Sequence, residues 1–369
     1  MRARRSPTKL DSPVTAADRS SRVLRVRKEP SVIESGAVKP RRATINDVAD
    51  EAGVSRSTVS RALTGNGYVS EEIRGRVQEA AARLRYVPDA MARSLRQQAS
   101  TTIGVLVSNL RDPFYAEMAA GVALSAREAG YTMVLVDDGA DPAVEMEAVT
   151  RLVELRVAGV IVTPLSVVAV DYLLRNNVPV VEVDRQFAPR SCDAVVVDNR
   201  AATRDLTDHL IAQGHTDIAL LIDQDEWTTG RERLAGYYEA LAEAGLMPRV
   251  VRVGWTVESV RADALDLLHG PTPPTALVAV NNVLAEGAYR AIAEAGLRLP
   301  QDISLVSFDD VPWMSLVTPG LTAAAQDITT IGQLAAERLL NRIGNPEAPV
   351  QTVALAVPLI IRGSTTSPA

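Results

Sequence analysis

Cysteine, histidine and long apolar runs are all scarce in this chain. Cys192 is the only cysteine among 369 residues, which excludes an internal disulfide and is typical of a reducing compartment. The three histidines, at positions 209, 215 and 269, do not have metal-ligand spacing. The longest apolar run, residues 353 to 361, is interrupted by a proline and is much shorter than the roughly 20 residues that span a bilayer. A secretory signal needs a continuous apolar core, and arginines occur throughout the N-terminal segment of this chain. We therefore expect a soluble cytoplasmic protein with no metal and no membrane contact.

Motifs of catalysis and phosphate binding are also missing. The sequence contains no G-x-G-x-x-G, no G-x-x-x-x-G-K-[ST], no H-E-x-x-H and no G-x-S-x-G. An enzyme with an α/β core is expected to carry such a motif after one of its strands, so we expect neither catalysis nor a cofactor. A transport binding protein is a second alternative, and it would need the export signal that the N-terminus lacks.

Charge is distributed unevenly along the chain. Residues 1 to 42 contain twelve Lys/Arg and four acids but few large apolar side chains, which predicts a disordered basic arm. Such an arm either adds phosphate contacts or is a passive extension from a mis-assigned start. Residues 1 to 98 carry a net charge of +9, and the remainder carries −15. A basic head on an acidic body suits a chain that presents one end to DNA.

Three short helices are predicted between residues 43 and 98, in the pattern of a helix-turn-helix. Thr44 is placed to cap the first helix, and Gly53 supplies the turn that ends it. Ser55 is placed to cap a second helix that runs to about Leu63, and Ser70 a third that runs to about residue 84.

The outward face of the second helix has the side chains expected of a DNA reader. Arg56, Ser57 and Arg61 fall on one side, where an arginine can pair with guanine O6 and N7. Thr58 and Ser60 can reach phosphate oxygens, and Thr44 and Ser55 are further candidate DNA contacts. A single arginine on a helix is more often a solvated surface residue than a DNA contact. The choice between these two explanations therefore depends on how far the motif extends along the sequence.

Residues 44 to 61 match T-I-x-D-V-A-x-x-A-G-V-S-x-x-T-V-S-R at every fixed position. This stretch resembles the DNA-binding domain of the lactose-repressor (LacI/GalR) family. The resemblance implies that residues 88 to 95 form a hinge helix that orders on DNA, with Leu95 as a minor-groove wedge. Ala92 is small enough to approach the groove floor, and Arg93 is a further DNA-binding candidate. Asp89 replaces the usual Asn and puts a negative charge near phosphates.

From Thr101 onward, short β-branched runs alternate with amphipathic helices, the pattern of parallel β/α units. The alternation restarts after Asn199, which predicts two similar lobes. This part resembles the family's periplasmic-binding-protein-like core. We expect an effector-binding and dimerisation domain over residues 101 to 369. Lobe one should comprise residues 101 to 198 and 326 to 357, and lobe two residues 199 to 325 and 358 to 369.

Ligands of open parallel sheets bind beyond the carboxyl ends of the strands. The family's motifs place six candidate ligand residues there: Tyr115 of N-P-F-F, Asp184, Arg233 of R-x-x-G-Y, Trp255, Asn282 of A-N-D and Asp309 of F-D-D. Asn282 stands where the family has Asp. This loss of charge weakens the expectation of a neutral sugar and favours an anionic ligand.

The resemblance implies a nucleoid-associated homodimer that binds double-stranded operator DNA, most simply as a repressor. Its operator affinity should depend on a small-molecule effector, a sugar or a sugar derivative, in the cleft. Release from DNA by the effector and promotion of DNA binding are both compatible with these residues.

Overall fold

The computed structural model describes residues 43 to 65, 67 to 87, 100 to 187 and 191 to 368. Two compact units make up the described part of the chain, with the division between Pro88 and Asp89. The basic arm and the hinge residues predicted at 88 to 95 lie outside the described residues.

The first unit is a three-helix domain, as the sequence predicts. Its helices are α1 (Ile45–Ala52), α2 (Arg56–Thr64) and α3 (Glu71–Arg83). Thr44, Ser55 and Ser70 are the N-caps, and each side chain accepts a hydrogen bond from a backbone N–H in the first turn. Gly53 ends α1 at φ 64°, a left-handed conformation that favours glycine.

A small apolar core holds these helices together. Val48, Val59 and Val77, one from each helix, are completely buried. Helices this short are marginal in isolation, so their contacts with each other stabilise the unit.

The second unit contains two sheets with helices packed against them. The first sheet has strand order β11-β5-β4-β3-β1-β2, and every pair in it is parallel. Its strands are β1 (Thr102–Val107), β2 (Thr132–Asp137), β3 (Val160–Val162), β4 (Val180–Val183), β5 (Asp193–Val197) and β11 (Thr352–Leu355). The helices along this part of the chain are α4 (Pro113–Glu128), α5 (Pro142–Glu154) and α6 (Val167–Arg175).

The second sheet repeats the arrangement with strand order β12-β10-β9-β8-β6-β7, and only β12 is antiparallel to its neighbour. Its strands are β6 (Ile218–Ile222), β7 (Arg249–Arg252), β8 (Ala276–Ala279), β9 (Ser304–Phe308), β10 (Thr322–Ala324) and β12 (Leu359–Ile360). The accompanying helices are α7 (Asn199–Ala212), α8 (Thr228–Glu243), α9 (Val257–Leu268), α10 (Asn282–Glu294) and the short α11 (Trp313–Leu316).

We refer to the two sheets with their helices as lobe one and lobe two. The chain passes between them three times, since β11 returns to the first sheet and β12 to the second. The last helix, α12 (Ile328–Gly344), packs against α4 of lobe one. The predicted class, a helical head followed by a two-lobed α/β core with parallel sheets, is confirmed. No helix in the described part of the chain is long and apolar enough to cross a membrane.

Two glycines bring α4 and α12 into close contact. A Cβ at Gly121 would lie 2.5 Å from the carbonyl oxygen of Thr329, and a Cβ at Gly332 would lie 2.2 Å from that of Met118. Both distances are far below van der Waals contact with backbone atoms that cannot move independently. The helices can therefore approach this closely only where each has glycine.

Two acidic side chains are buried beside each other in lobe one. Glu145 accepts hydrogen bonds from the backbone N–H of Leu165 and the hydroxyl of Ser166. Asp138 accepts one from the N–H of Ala140 through Oδ1, whereas its buried Oδ2 has no hydrogen-bond partner among the described residues. Burial, and to a smaller extent the charge of Glu145, raise the pKa of Asp138 to about 7.

Replacing Gly332 by Ala should destabilise the second unit by roughly 1–3 kcal/mol, because the added methyl overpacks the contact between α4 and α12. Gly344→Ala at the end of the same helix is the matched control, since a Cβ there meets nothing within 4 Å. Urea unfolding followed by tryptophan fluorescence reports on this unit alone, because all three tryptophans, at 227, 255 and 313, belong to it. Equal midpoints for the two variants would contradict the close-packing argument.

Asp138→Asn should flatten the pH dependence of stability. A carboxyl whose folded pKa is raised binds its proton more tightly in the folded state. Its contribution is complete below the unfolded pKa of 3.8 and is lost as the pH rises through about 7. The variant should therefore gain stability relative to the wild type in urea titrations between pH 5 and pH 8. Parallel profiles for the two proteins over that range would show that Asp138 does not titrate there.

Candidate functional site

Helix α2 presents the candidate DNA-reading face. Arg56, Ser57 and Arg61 are all exposed on this helix, which contains no acidic residue. Nε of Arg61 donates to the carbonyl oxygen of Ser57 at 3.3 Å, which holds the arginine along its own helix. The helix therefore offers two guanidinium groups on an otherwise uncharged surface.

The hydroxyl candidates of the head also have structural partners. Ser55 Oγ accepts from the N–H of Thr58 and lies 2.8 Å from the hydroxyl oxygens of both Ser57 and Thr58. The hydroxyl of Thr44 donates to Asp47 at 2.7 Å as part of the capping box of α1. Ser60 is partly exposed. A phosphate contact by Thr44 or Ser55 would thus be additional to a capping role.

Two other arginines of the head have a structural role instead. Arg74 donates to the carbonyl oxygen of Ala62 near the end of α2, and Arg76 donates to that of Ala52 at the end of α1. They satisfy carbonyl groups that a helix end leaves without partners. This distinguishes them from Arg56 and Arg61. Ala92, Arg93 and Leu95 lie outside the described residues.

A cavity of about 330 Å³ lies between the two lobes of the second unit. Its walls come from segments that directly follow strands, including Ser108 after β1, Asp184 after β4, Asp223 after β6 and Asp309 after β9. Because parallel strands bring their carboxyl ends to one edge of each sheet, both sheets contribute to the same cavity. This is where the sequence predicts a ligand.

Five of the six predicted ligand residues line this cavity: Tyr115, Asp184, Arg233, Trp255 and Asp309. Trp255 is 64% exposed, so it lies at the mouth, whereas the other four are largely buried. Asn282 does not belong to the lining. Its amide Nδ2 donates instead to Oδ1 of Asp112 at 3.0 Å, and the neighbouring Asn281 lines the cavity.

Two buried guanidinium groups dominate the walls. Arg185 donates to the hydroxyl of Tyr115 at 2.6 Å and to Ser108 Oγ at 3.2 Å, and its Cζ lies 3.7 Å from the ring centroid of Trp227. Arg233 donates to Asn199 Oδ1 at 2.7 Å, and its Cζ lies 3.6 Å from the ring centroid of Phe308. Each guanidinium lies over an aromatic ring. Arg233 is fixed by neutral acceptors, whereas Nε of Arg185 also lies 3.4 Å from Oδ2 of Asp184 and forms an ion pair with it.

Four carboxylates line the same cavity: Asp112, Asp184, Asp223 and Asp309. Burial raises the pKa of Asp184 and Asp223 above the usual range. Burial, followed by the charge of Asp309, raises the pKa of Asp112 to about 6. Four carboxylates therefore share the cavity with two guanidinium groups. Each carboxylate already has a donor or a cation beside it: Asn282 for Asp112, Arg185 for Asp184, Asn281 for Asp223 and Gln326 for Asp309.

Asp184 and Asp309 occupy equivalent positions in the two lobes. Each directly follows a buried strand and has a positive φ, 66° and 69° respectively. A residue other than glycine is uncommon in this conformation, and such strain is concentrated at functional sites. The same unusual backbone conformation therefore occurs at the end of corresponding strands, β4 in lobe one and β9 in lobe two.

Sequence reasoning does not single out Arg185, Trp227 or Gln326 as ligand residues, although all three line the cavity. Arg185 directly follows Asp184, and the sequence places both among the polar groups beyond the strand ends, but only Asp184 is predicted as a ligand residue. Gln326 donates to Asp309 Oδ1 from just before α12. Nothing in the local sequence of Gln326 marks that contact. Among the described residues there is no cluster of three or more His, Cys, Asp or Glu side chains that could hold a metal ion.

Comparison with known protein families gives two matches. Residues 44–89 match the model of bacterial regulatory proteins of the lacI family, and residues 207–365 match a periplasmic binding protein-like domain. The two matches fall on the two compact units.

Individual relatives align over most of the chain. The ribose operon repressor of Escherichia coli K12 is 37% identical over 330 residues, which covers 87% of this chain and 99% of the relative. The transcriptional repressor CytR of the same strain is 32% identical, with 88% and 96% covered.

Solved structures agree with these relatives. The lac repressor dimer bound to operator and the anti-inducer ONPF has a TM-score of 0.79 and 31% identity, with 88% of this chain and 100% of that chain covered. A LacI family regulator from Enterococcus faecium with bound ribose has a TM-score of 0.67 and 26% identity, with 72% and 99% covered. The chain therefore belongs to the lacI family of bacterial regulatory proteins and is a DNA-binding transcription regulator, not an enzyme.

Proposed function

We propose that this protein is a repressor whose operator affinity is set by a neutral sugar of pentose size bound in the cleft. The observation that carries the proposal is the arrangement of four carboxylates and two guanidinium groups around a cavity of about 330 Å³. The volume is at the small end of the roughly 300–1,000 Å³ range of ligand pockets, which fits one sugar ring.

The charges of the cavity favour a neutral ligand with many hydroxyl groups. Each hydroxyl can donate to a carboxylate and accept from an arginine, so one ring can satisfy both kinds of group. An anionic ligand would add repulsion to a wall in which carboxylates already outnumber cations. The expectation of an anionic ligand, which rests on the missing charge at Asn282, therefore loses its support, because Asn282 is directed to Asp112 and not to the cavity.

Ribose is the first sugar to test. The relatives described above include a ribose operon repressor, and a family structure contains bound ribose. Within this cleft we assign hydroxyl recognition to Asp184, Arg233 and Asp309. Tyr115 and Trp255 supply apolar ring surface on which the carbon face of a sugar can pack.

At the DNA we assign base contacts to Arg56, Ser57 and Arg61. Phosphate contacts are assigned to Thr44, Ser55, Thr58 and Ser60, and hinge contacts to Ala92, Arg93 and Leu95. Two heads on a two-fold axis would read a pseudo-palindromic operator, because a single three-helix head contacts too few bases for strong specificity. We therefore propose a homodimer, in line with the dimeric lac repressor structure.

The proposed organisation is a basic arm at 1 to 42, a head with hinge at 43 to 98 and an effector-binding domain at 101 to 369. The last comprises lobe one (101 to 198 and 326 to 357) and lobe two (199 to 325 and 358 to 369). A protein that controls an operator acts where the chromosome is, so we place it in the cytoplasm at the nucleoid.

Arg233→Ala should weaken binding of D-ribose at least roughly tenfold, because hydroxyl groups of the sugar would lose a charged donor inside a buried site. Isothermal titration of the full chain measures the change, and thermal unfolding checks that the variant is folded. Arg290→Ala, which removes an exposed arginine paired with Glu286 on α10, is the matched control. If wild-type protein binds ribose 5-phosphate or a sugar acid but not ribose, the proposed neutral ligand is wrong.

Arg56→Ala and Arg61→Ala should each reduce discrimination between operator and unrelated DNA. A good bidentate pair with guanine discriminates by roughly 1–3 kcal/mol, so one lost pair reduces the ratio about fivefold to 150-fold. An operator selected from random DNA with the wild-type protein serves as the specific probe in binding assays. Arg83→Ala is the control, since this exposed arginine lies on α3 and pairs with Glu51. Variants at 56 and 61 that select the wild-type operator unchanged would contradict the assignment.

A further inference from the structure

A hydrogen bond between two polar side chains joins the lobes beside the cavity, and only one of the two side chains lines the cavity. Asp112 is the N-cap of α4 in lobe one, and Asn282 is the first residue of α10 in lobe two. Their hydrogen bond, from Nδ2 of Asn282 to Oδ1 of Asp112, measures 3.0 Å and joins residues 170 positions apart. Asp112 lines the cavity and Asn282 does not.

Both ends of this hydrogen bond are anchored in helix N-termini. Oδ1 of Asp112 also accepts from the N–H of Phe114 at 3.0 Å, so the same oxygen caps α4. Asn282 follows Asn281, which caps α10 through the N–H of Leu284 and lines the cavity. A change in separation of the lobes therefore acts directly on the first turn of each helix.

Other contacts cross the cleft at two further places, one of which is the hydrogen bond from Gln326 to Oδ1 of Asp309. At the other place, the N–H of Gln186 in lobe one donates to Thr228 Oγ1 in lobe two at 3.2 Å, next to the stacked pair of Arg185 and Trp227. The contacts at this second place involve the loop after β4 and the start of α8. The Asp112–Asn282 hydrogen bond is separate from them in sequence and joins a different pair of helices.

The identities of the two residues support a direct pairing. Asp112 stands at the Asn position of the N-P-F-F motif, and Asn282 stands at the Asp position of A-N-D. Each departure alone would change the charge at the cleft. Because the two side chains are in contact, together they retain one carboxylate and one amide.

We propose that the Asp112–Asn282 hydrogen bond is a latch that holds the two lobes closed over the effector, with Asn282 acting by positioning and not by contact with the ligand. The inference rests on the proposed function in one respect, that the effector binds in this cavity. A carboxylate that accepts from an amide gains a charge-assisted hydrogen bond, whereas two carboxylates at this distance repel.

Charge exchange across the cleft tests the latch. Asn282→Asp places a second carboxylate against Asp112 and should weaken binding of D-ribose about tenfold or more in isothermal titration. The double variant Asp112→Asn with Asn282→Asp restores one amide and one carboxylate in exchanged positions, and Asn also caps helices well. Its affinity should return to within about threefold of the wild type. Asn176→Asp, an exposed change of the same charge at the end of α6, is the control and should leave affinity unchanged.

Hydrogen exchange without sugar provides a second readout. Asn282→Asp leaves the sequence of α4 intact, so faster exchange at Phe114 and its neighbours in the first turn of α4 must be transmitted across the cleft. The double variant should restore slow exchange there. Unchanged exchange and affinity in Asn282→Asp, or a double variant no better than the single one, would overturn the latch. If no variant and no wild-type protein binds ribose, the proposed effector fails, while the exchange data still decide the latch.

Discussion

The parallel direction of the strands is the constraint on which the rest of this core depends, because it fixes the edge of each sheet at which the strands end. Every strand in the first sheet and all but one in the second run in one direction, so loops with polar side chains accumulate at a single edge of each sheet. Since those edges face each other, Asp184 and Asp309 reach the same cavity from different lobes. The strands themselves are mostly apolar and buried, so the polar groups that line the cavity come largely from the segments that follow them.

The sequence predicts correctly those structural features that depend on residues close together along the chain. The helices of the head follow from Thr44, Ser55 and Ser70, whose caps act within three residues of their own position. The alternation of strands and helices similarly predicts two lobes, and residues that follow strands predict most of the cavity. Each of these inferences requires only the neighbours of a residue along the chain.

Contacts between distant segments are where sequence reasoning fails. Asn282 follows a strand as Asp184 does, yet its side chain meets Asp112, which lies 170 positions earlier. Its loss of charge therefore says nothing about the ligand. Gln326 likewise reaches Asp309 only because α12 returns to lobe one from lobe two. A rule that considers strand ends alone places the residue at the edge but does not tell which neighbour its side chain contacts.

The balance of charge connects stability of the core with recognition. Four aspartates line one cavity, and the raised pKa values of Asp112, Asp184 and Asp223 show that burial disfavours their charged forms. Neutral side chains would meet purely structural needs more easily, because taking an ion out of water costs several kcal/mol even where a hydrogen-bond donor reaches it. A ligand that supplies hydroxyl donors offsets this cost most fully when both lobes surround it. Under the proposed function, the same carboxylates disfavour the closed cleft without a ligand and favour its closure around a neutral sugar, so that ligand binding and lobe closure would be one equilibrium.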